Sequence, residues 1–346
     1  MMRIILFVAA TLLLPAAAHA QDRGTIVGYI AAFQGLDHAI ERGGFDHFTQ
    51  LDLAFVNPTA AGEVLGDDGL ACAPDGDSGM ISSAQLQKLV AAAHQSGAKV
   101  VASLGGATIP ACGGDWTRLL APDMRPNVVS GIMAMVDRYQ LDGIDIDLEG
   151  ELMTSIDRSG NYTPFVHALA NALHARSKLL TAATGSYPGG MIPDKSLPYF
   201  DVIGVMSYDA VGPTWGTPGA EHSTYAQAET DLRLWIGKGV PAGKLALGVP
   251  FYGHGFGDYA RSWSLQDIAD RFGGRSLTVD VAGQRCGGCS YITYNGLATL
   301  ERKATLAGAW STGVMVWQIG QDLADHRASR ALDEAYSKGR TYARRN

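Results

Sequence analysis

Eight short apolar runs, separated by longer amphipathic stretches, limit the fold of this chain more than any other feature. They fall at 25–30, 51–57, 99–104, 143–149, 179–184, 202–208, 244–250 and 313–317, and each has the length of a strand. Helical spacing appears between most of them, over 83–95, 125–139, 163–177, 225–237 and 295–306. A strand followed by a helix, repeated around the chain, predicts parallel strands joined by crossover helices. Closed on itself this is an α/β fold, the (β/α)8 TIM barrel, which takes about 250 residues. An open doubly wound sheet fits less well, because no G-x-G-x-x-G turn follows the first run. The stretch 253–290 is too long for a bare connection and predicts a small insertion after strand 7.

The N-terminus has a separate character. Met1-Met2-Arg3 gives a positive start, 4–14 is apolar, and Ala18-His19-Ala20 supplies an A-x-A site. This pattern predicts a secretory signal over residues 1–20, cleaved near Ala20, and a catalytic barrel over 21–346. The apolar run is shorter than the ~20 residues that span a bilayer, so no membrane anchor is expected after cleavage. The product would be secreted or periplasmic, and a monomer. Net charge is −7 and the basic residues are scattered, which argues against nucleic acid or an anionic membrane as a partner.

Four cysteines in an exported chain point to disulfides. Cys72 and Cys112 fall in loops after adjacent predicted strands and are expected to pair, leaving Cys286-Gly287-Gly288-Cys289 as a short loop bridge. A redox or zinc role for the latter lacks the βα context or the second ligand pair it would need. No metal and no organic cofactor is expected.

The fourth run carries the chemistry. Asp142 to Glu149 is D-G-I-D-I-D-L-E, and strand alternation puts Asp145, Asp147 and Glu149 on one face with Ile144, Ile146 and Leu148 on the other. Buried carboxylates cost several kcal/mol unless paired, protonated or hydrogen-bonded. Three on one strand predict a device for keeping a proton on a carboxyl group near neutral pH. Asp147, two residues before Glu149, is placed to raise its pKa and keep it a general acid. A calcium site is the competing reading, but a strand lacks the turning geometry of a calcium loop.

These residues resemble the DGxDxDxE strand of glycoside hydrolase family 18, the chitinase family. Further motifs resemble the family in the same order: Ser103-Leu104-Gly105-Gly106, Met206-Ser207-Tyr208-Asp209, Gly248 to Gly253 and Gly313 to Trp317. The resemblance implies a retaining hydrolysis of β-1,4-linked N-acetylglucosamine polymers or oligomers in which the substrate supplies its own nucleophile. Glu149 would be the general acid and base, Asp147 would bind the acetamide N–H, Tyr208 would donate to the acetamide oxygen, and Asp145 would share a proton with Asp147. Trp317 would floor the pocket, lined also by Met206 and Asp209, and a cis bond between Trp317 and Gln318 is expected. An endo-β-N-acetylglucosaminidase acting on N-glycans, or a non-catalytic chitin-binding lectin, would share the scaffold.

Tyr29, Phe55, Trp116, Tyr187, Trp215 and Tyr252 lie at or beyond strand ends and are candidates for stacking on sugars, Trp215 foremost. Gly106, at the end of the third strand, is counted with the substrate-binding residues. His254 is expected to be a plain surface histidine. The family's bulky residue and proline after the catalytic glutamate are replaced here by Gly150-Glu151.

Overall fold

The computed structural model describes residues 23–76 and 79–345, so the predicted signal over residues 1–20 lies outside the described residues. Strands β1 (Ile26–Ala31), β2 (Gln50–Val56), β3 (Lys99–Gly106), β4 (Gly143–Leu148), β5 (Leu179–Thr184), β6 (Val202–Val205) and β7 (Leu245–Pro250) follow one another around a closed barrel. Four short strands then intervene: β8 (Tyr252–Phe256), β9 (Ser262–Ser264), β10 (Val281–Gly283) and β11 (Tyr291–Thr293). β12 (Gly313–Trp317) closes the ring in parallel between β7 and β1. The fold is the (β/α)8 barrel.

Two strands stop earlier than the apolar pattern suggests. β4 ends at Leu148, which leaves Glu149 at the junction with the helix Gly150–Arg158. β6 ends at Val205, because the Ser207 N–H bonds back to Val205 O and Asp209 adopts a φ of 62°. Tyr208 and Asp209 therefore stand on a turn above the barrel rather than in a strand.

Alternation along the strands separates two cores. Leu51, Leu53, Ile144 and Ile146 point outward into the layer shared with the helices. The lumen is filled by Val27, Tyr29, Ala54, Ala246 and Met315, with Phe55, Met206, Tyr208 and Trp317 packed against them. A side chain at Gly248 would collide with both Met315 and Tyr208, so this position must stay bare for those two residues to fill the lumen.

The insertion forms an antiparallel sheet ordered β10-β11-β8-β9, with the helix Leu265–Phe272 started by a Ser264–Asp267 capping box. It grips the loop that follows β6. Gly219 N–H donates to Tyr291 OH at 2.9 Å, His222 N–H donates to Thr293 Oγ1 at 3.1 Å, and Arg285 pairs with Glu221. Beneath them Lys303, fully buried on the helix Leu297–Ala309, donates to Ser223 Oγ at 2.7 Å and Asn295 Oδ1 at 2.8 Å. Disulfides join Cys72 to Cys112 and Cys286 to Cys289. The Trp317–Gln318 bond is cis, and so is Ala54–Phe55, which the sequence did not suggest. Among the described residues no helix is long and apolar enough to cross a membrane.

Candidate active site

The acidic face of β4 looks into the barrel and climbs to its C-terminal rim, where barrel enzymes hold their chemistry. Asp145 is the deepest of its three acids. Its register partners on either side are Ser103 of β3 and Thr181 of β5, both short hydroxyl residues. Ser103 Oγ donates to Asp145 Oδ2 at 2.7 Å, Thr181 Oγ1 donates to Oδ1 at 2.7 Å, and Tyr29 OH donates to Oδ2 at 2.8 Å. Burial raises the Asp145 pKa, and these three hydroxyls oppose the rise.

Asp147 has no such support. It is 3% exposed and its Oδ1 has no hydrogen-bond partner among the described residues. Burial, then the charges of Glu149, Asp145 and Asp52, push its pKa well above the usual carboxyl range. Glu149 is raised to about 7, first by burial and then by the negative charge of Asp209. Asp147 and Glu149 repel one another as a coupled pair, as their spacing on the strand predicts, and Asp209 on the turn after β6 adds a second negative charge that the sequence did not mark. The outcome is a carboxyl group that titrates near neutral pH beside a second carboxyl that burial favours in its protonated form.

A fourth acid lies below. Asp52 of β2 is 1% exposed, accepts from Gln50 Nε2 at 2.7 Å, and is raised well above the usual range by burial and by Asp145. The sequence did hold a signal for it, since an acid inside the apolar run 51–57 has to face either helices or lumen.

Most predicted site residues meet in one place. Glu149, Asp147, Tyr29, Phe55, Met206, Tyr208, Asp209, Tyr252 and Trp317 line a cavity of about 150 Å³. It continues on one side into a lobe of about 590 Å³ bounded by Tyr187 and Trp215, and on the other into one of about 320 Å³ bounded by Phe33 and Asn57. The three make a groove with Glu149 near its centre. Trp317 forms its floor, its indole centred 5.4 Å from the Tyr29 ring and 5.6 Å from the Phe55 ring. Trp215 is 46% exposed and is held by its Nε1 donating to Asp209 O at 2.8 Å.

Three expectations need correction. Gly106 lines none of these lobes; with φ at 94° and no Cβ, it lets the Phe55 ring lie against the backbone. Trp116 is 1% exposed and donates from Nε1 to Asn57 Oδ1 at 2.8 Å, so it packs the core behind the groove. His254 is no surface histidine: its side chain is 12% exposed, and Nε2 lies 2.8 Å from Asp209 Oδ1. His222, which no sequence spacing marks, approaches the same oxygen at 3.3 Å through Nδ1. Tyr252 OH donates to the same oxygen at 2.6 Å, and the hydrogen bonds and charges of the two histidines override the effect of burial and hold the Asp209 pKa below the usual carboxylate range.

The family model described as Glycosyl hydrolases family 18 matches residues 25–322, which take in the whole barrel and this groove. This chain belongs to glycosyl hydrolase family 18. Among family relatives, a chitinase-like effector of Moniliophthora roreri is 31% identical over 246 residues, 64% of this chain and 56% of its own length. A probable chitinase 10 of Drosophila melanogaster is 27% identical over 61% of this chain and 10% of its own length. The chain thus spans little more than half of one of these relatives and a small part of the other. A solved family 18 chitinase from the chitin utilization locus of Flavobacterium johnsoniae superposes with a TM-score of 0.75 at 29% identity, covering 90% of this chain and 94% of that one.

Proposed function

We propose that this family 18 chain is an exported retaining hydrolase of β-1,4-linked N-acetylglucosamine chains, a chitinase, with Glu149 as general acid and base. The observation that carries the reading is the pairing of Glu149, raised to about 7, with Asp147, whose buried Oδ1 lacks a partner, on the wall of one cavity. A carboxyl oxygen left unpaired in a buried site is costly, and a substrate N–H would satisfy it.

In the proposed reaction Glu149 gives its proton to the glycosidic oxygen as the C1–O bond breaks, and the leaving chain departs as an alcohol. The carbonyl oxygen of the 2-acetamido group bonds to C1, forming an oxazolinium ion. Asp147 accepts the acetamide N–H and balances the developing positive charge, with Asp145 sharing its proton. Tyr208 donates to the acetamide oxygen and Trp317 supports the sugar from below. Water then attacks C1 and surrenders a proton to Glu149, the C1–oxazoline bond breaks, and C1 keeps its configuration. Two disulfides support action outside the cytoplasm.

The test is to incubate the protein and its Glu149→Gln variant with N-acetylglucosamine oligomers and follow product length and anomer by NMR. Cleavage to β-anomeric products, with a loss of roughly 100-fold or more in the variant, is the expected result. Oligomer binding without cleavage by the unaltered protein would instead make it a lectin. Absence of both, with release of glycans from a glycoprotein, would make it an N-glycan endoglycosidase.

A further inference from the structure

The wall that carries Asp209 holds two histidines, His222 and His254, to which the hydrolytic reading gives no task. Asp209 Oδ1 is approached by Tyr252 OH at 2.6 Å, His254 Nε2 at 2.8 Å and His222 Nδ1 at 3.3 Å. The groups come from three separate places, the turn after β6, the loop leading into the helix Tyr225–Gly237, and β8. An ionised carboxylate oxygen has two lone pairs, so three donors on one oxygen exceed its ordinary capacity. The His222 side chain is also completely buried, and among the described residues its Nε2 has no hydrogen-bond partner and Asp209 supplies its one side-chain contact of this kind. Burying an imidazole for a single shared hydrogen bond is a poor return in stability. A cation that took a lone pair from each imidazole and from the carboxylate would account for the convergence.

The dimensions suit such an ion. One donor atom from each of Asp209, His222 and His254 lies within 4.8 Å of the other two. Tetrahedral zinc, with bonds of about 2.0–2.2 Å, places its ligand atoms about 3.3 Å apart. The two measured edges to Asp209 Oδ1 are 2.8 and 3.3 Å. The donor set decides the class of metal. Two imidazoles and one carboxylate favour zinc or its late first-row neighbours over calcium and magnesium, which take oxygen. Access is from one side, because His222 is buried, His254 is 12% exposed and the Asp209 side chain is 40% exposed. Asp209 also borders the lobe shared with Glu149 and Trp215.

We propose that Asp209, His222 and His254 form a binding site for a divalent late transition metal, with zinc as the representative ion, whose remaining coordination position opens toward the groove. Occupation replaces the Asp209 anion opposite Glu149 by a net positive charge, and so opposes the protonated state of Glu149. Metal at this site therefore inhibits hydrolysis; that consequence rests on the hydrolytic reading, while the binding itself does not.

The experiment is calorimetric titration of the metal-stripped full-length protein with Zn²⁺, paralleled by Co²⁺ followed through its visible absorption. His254→Ala, His222→Gln and Glu149→Gln are titrated alongside. One tight equivalent is expected in the unaltered protein and in Glu149→Gln, with at least tenfold weaker binding in His254→Ala, whose part-exposed position keeps the fold. Thermal melts without metal show whether His222→Gln folds; if it does not, His254→Ala decides. The pairs His94–Asp142 and His174–Asp201 on the surface offer one imidazole each and are expected to bind more weakly. Failure of the unaltered protein to take up a stoichiometric ion, or undiminished binding in His254→Ala, overturns the proposal. Calorimetry reads this even if no glycoside is cleaved, so the failure of one proposal is separable from that of the other.

Discussion

Ser103 and Asp145 are register partners across β3 and β4, and the Ser103 hydroxyl donates to Asp145 Oδ2 at 2.7 Å. With Tyr29 and Thr181 it favours negative charge on Asp145, so that a proton shared within the acidic column rests on Asp147. Removing that hydroxyl makes Asp145 a stronger competitor for the proton. Hydrogen bonds to charged groups contribute about 1.5–3 kcal/mol, equivalent to roughly 10- to 100-fold in an equilibrium. In the proposed reaction Asp147 balances the developing positive charge while Asp145 shares its proton, so Ser103→Ala is expected to raise kcat, by up to about tenfold, with little change in KM, since Ser103 does not line the groove. A KM change of the same size, with kcat intact, would place its effect in binding rather than in the proton balance.

The pH dependence of hydrolysis follows from Glu149 and its surroundings. Asp147, Asp209, Asp231, Tyr29, Tyr187, Tyr208 and Tyr252 are titratable groups that share its cavity walls, and Asp209 is the anion that adds to burial in raising it to about 7. The proposed reaction needs the protonated acid, so kcat/KM is expected to fall as pH rises through about 7. In Asp209→Asn the anion is gone, ionisation of Glu149 becomes easier, and this limb moves to lower pH. A limb that stays in place would assign the whole shift to burial. The same raised pKa has a sign for stability: the contribution is complete below the unfolded value, near 4.5, and is lost as pH rises through about 7. Glu149→Gln is expected to flatten that part of the stability curve.

The strand pattern made the barrel legible because parallel strands buried on both faces leave unbroken apolar runs, as in β1, where all six residues are buried. Asp145, Asp147 and Glu149 were legible for a related reason: period-2 alternation gives each side chain its face without any tertiary information. The residues around Asp209 were not. His222 reaches it on a loop held by the insertion, by way of Tyr291 and Thr293, and His254 reaches it from β8 of the insertion itself, and no local spacing encodes these contacts. Trp116 misled because position near a strand end does not say which side of the loop the ring takes. β6 misled because an apolar run does not report the turn that begins at Ser207.

Trp317 packs against both Tyr29 and Phe55, a group of three aromatic rings at the base of the central cavity. The indole offers a flat apolar surface to a sugar ring. Trp317→Ala is expected to weaken oligomer binding by about 10-fold or more, measured by calorimetry in the Glu149→Gln background, where no turnover interferes. The midpoint of thermal unfolding should fall only modestly, because the outer helix-facing core is untouched. Unchanged affinity would mean that the sugar sits elsewhere in the groove.

The two disulfides close loops of very different length. Cys72 and Cys112 are separated by 40 positions, and their bridge ties the loop after β2 to the loop after β3, on the side of the groove opposite the insertion. Cys286 and Cys289 are separated by 3, within one turn of the insertion. In the chain-entropy account the first restrains the unfolded chain by about 4 kcal/mol and the second by about 2 kcal/mol. Cys72→Ala with Cys112→Ala should therefore lower stability about twice as much as the other double replacement, measured by urea unfolding under oxidising conditions. The effect on function should divide differently. Asn57 N–H donates to Cys72 O at 2.8 Å, and its side chain holds Gly105 O and Trp116, so loosening this bridge reaches the end of β3 beside Asp147. Loss of the first bridge is expected to reduce kcat as well as stability, whereas loss of the second should act through the loop that carries Trp215 and show mainly in KM.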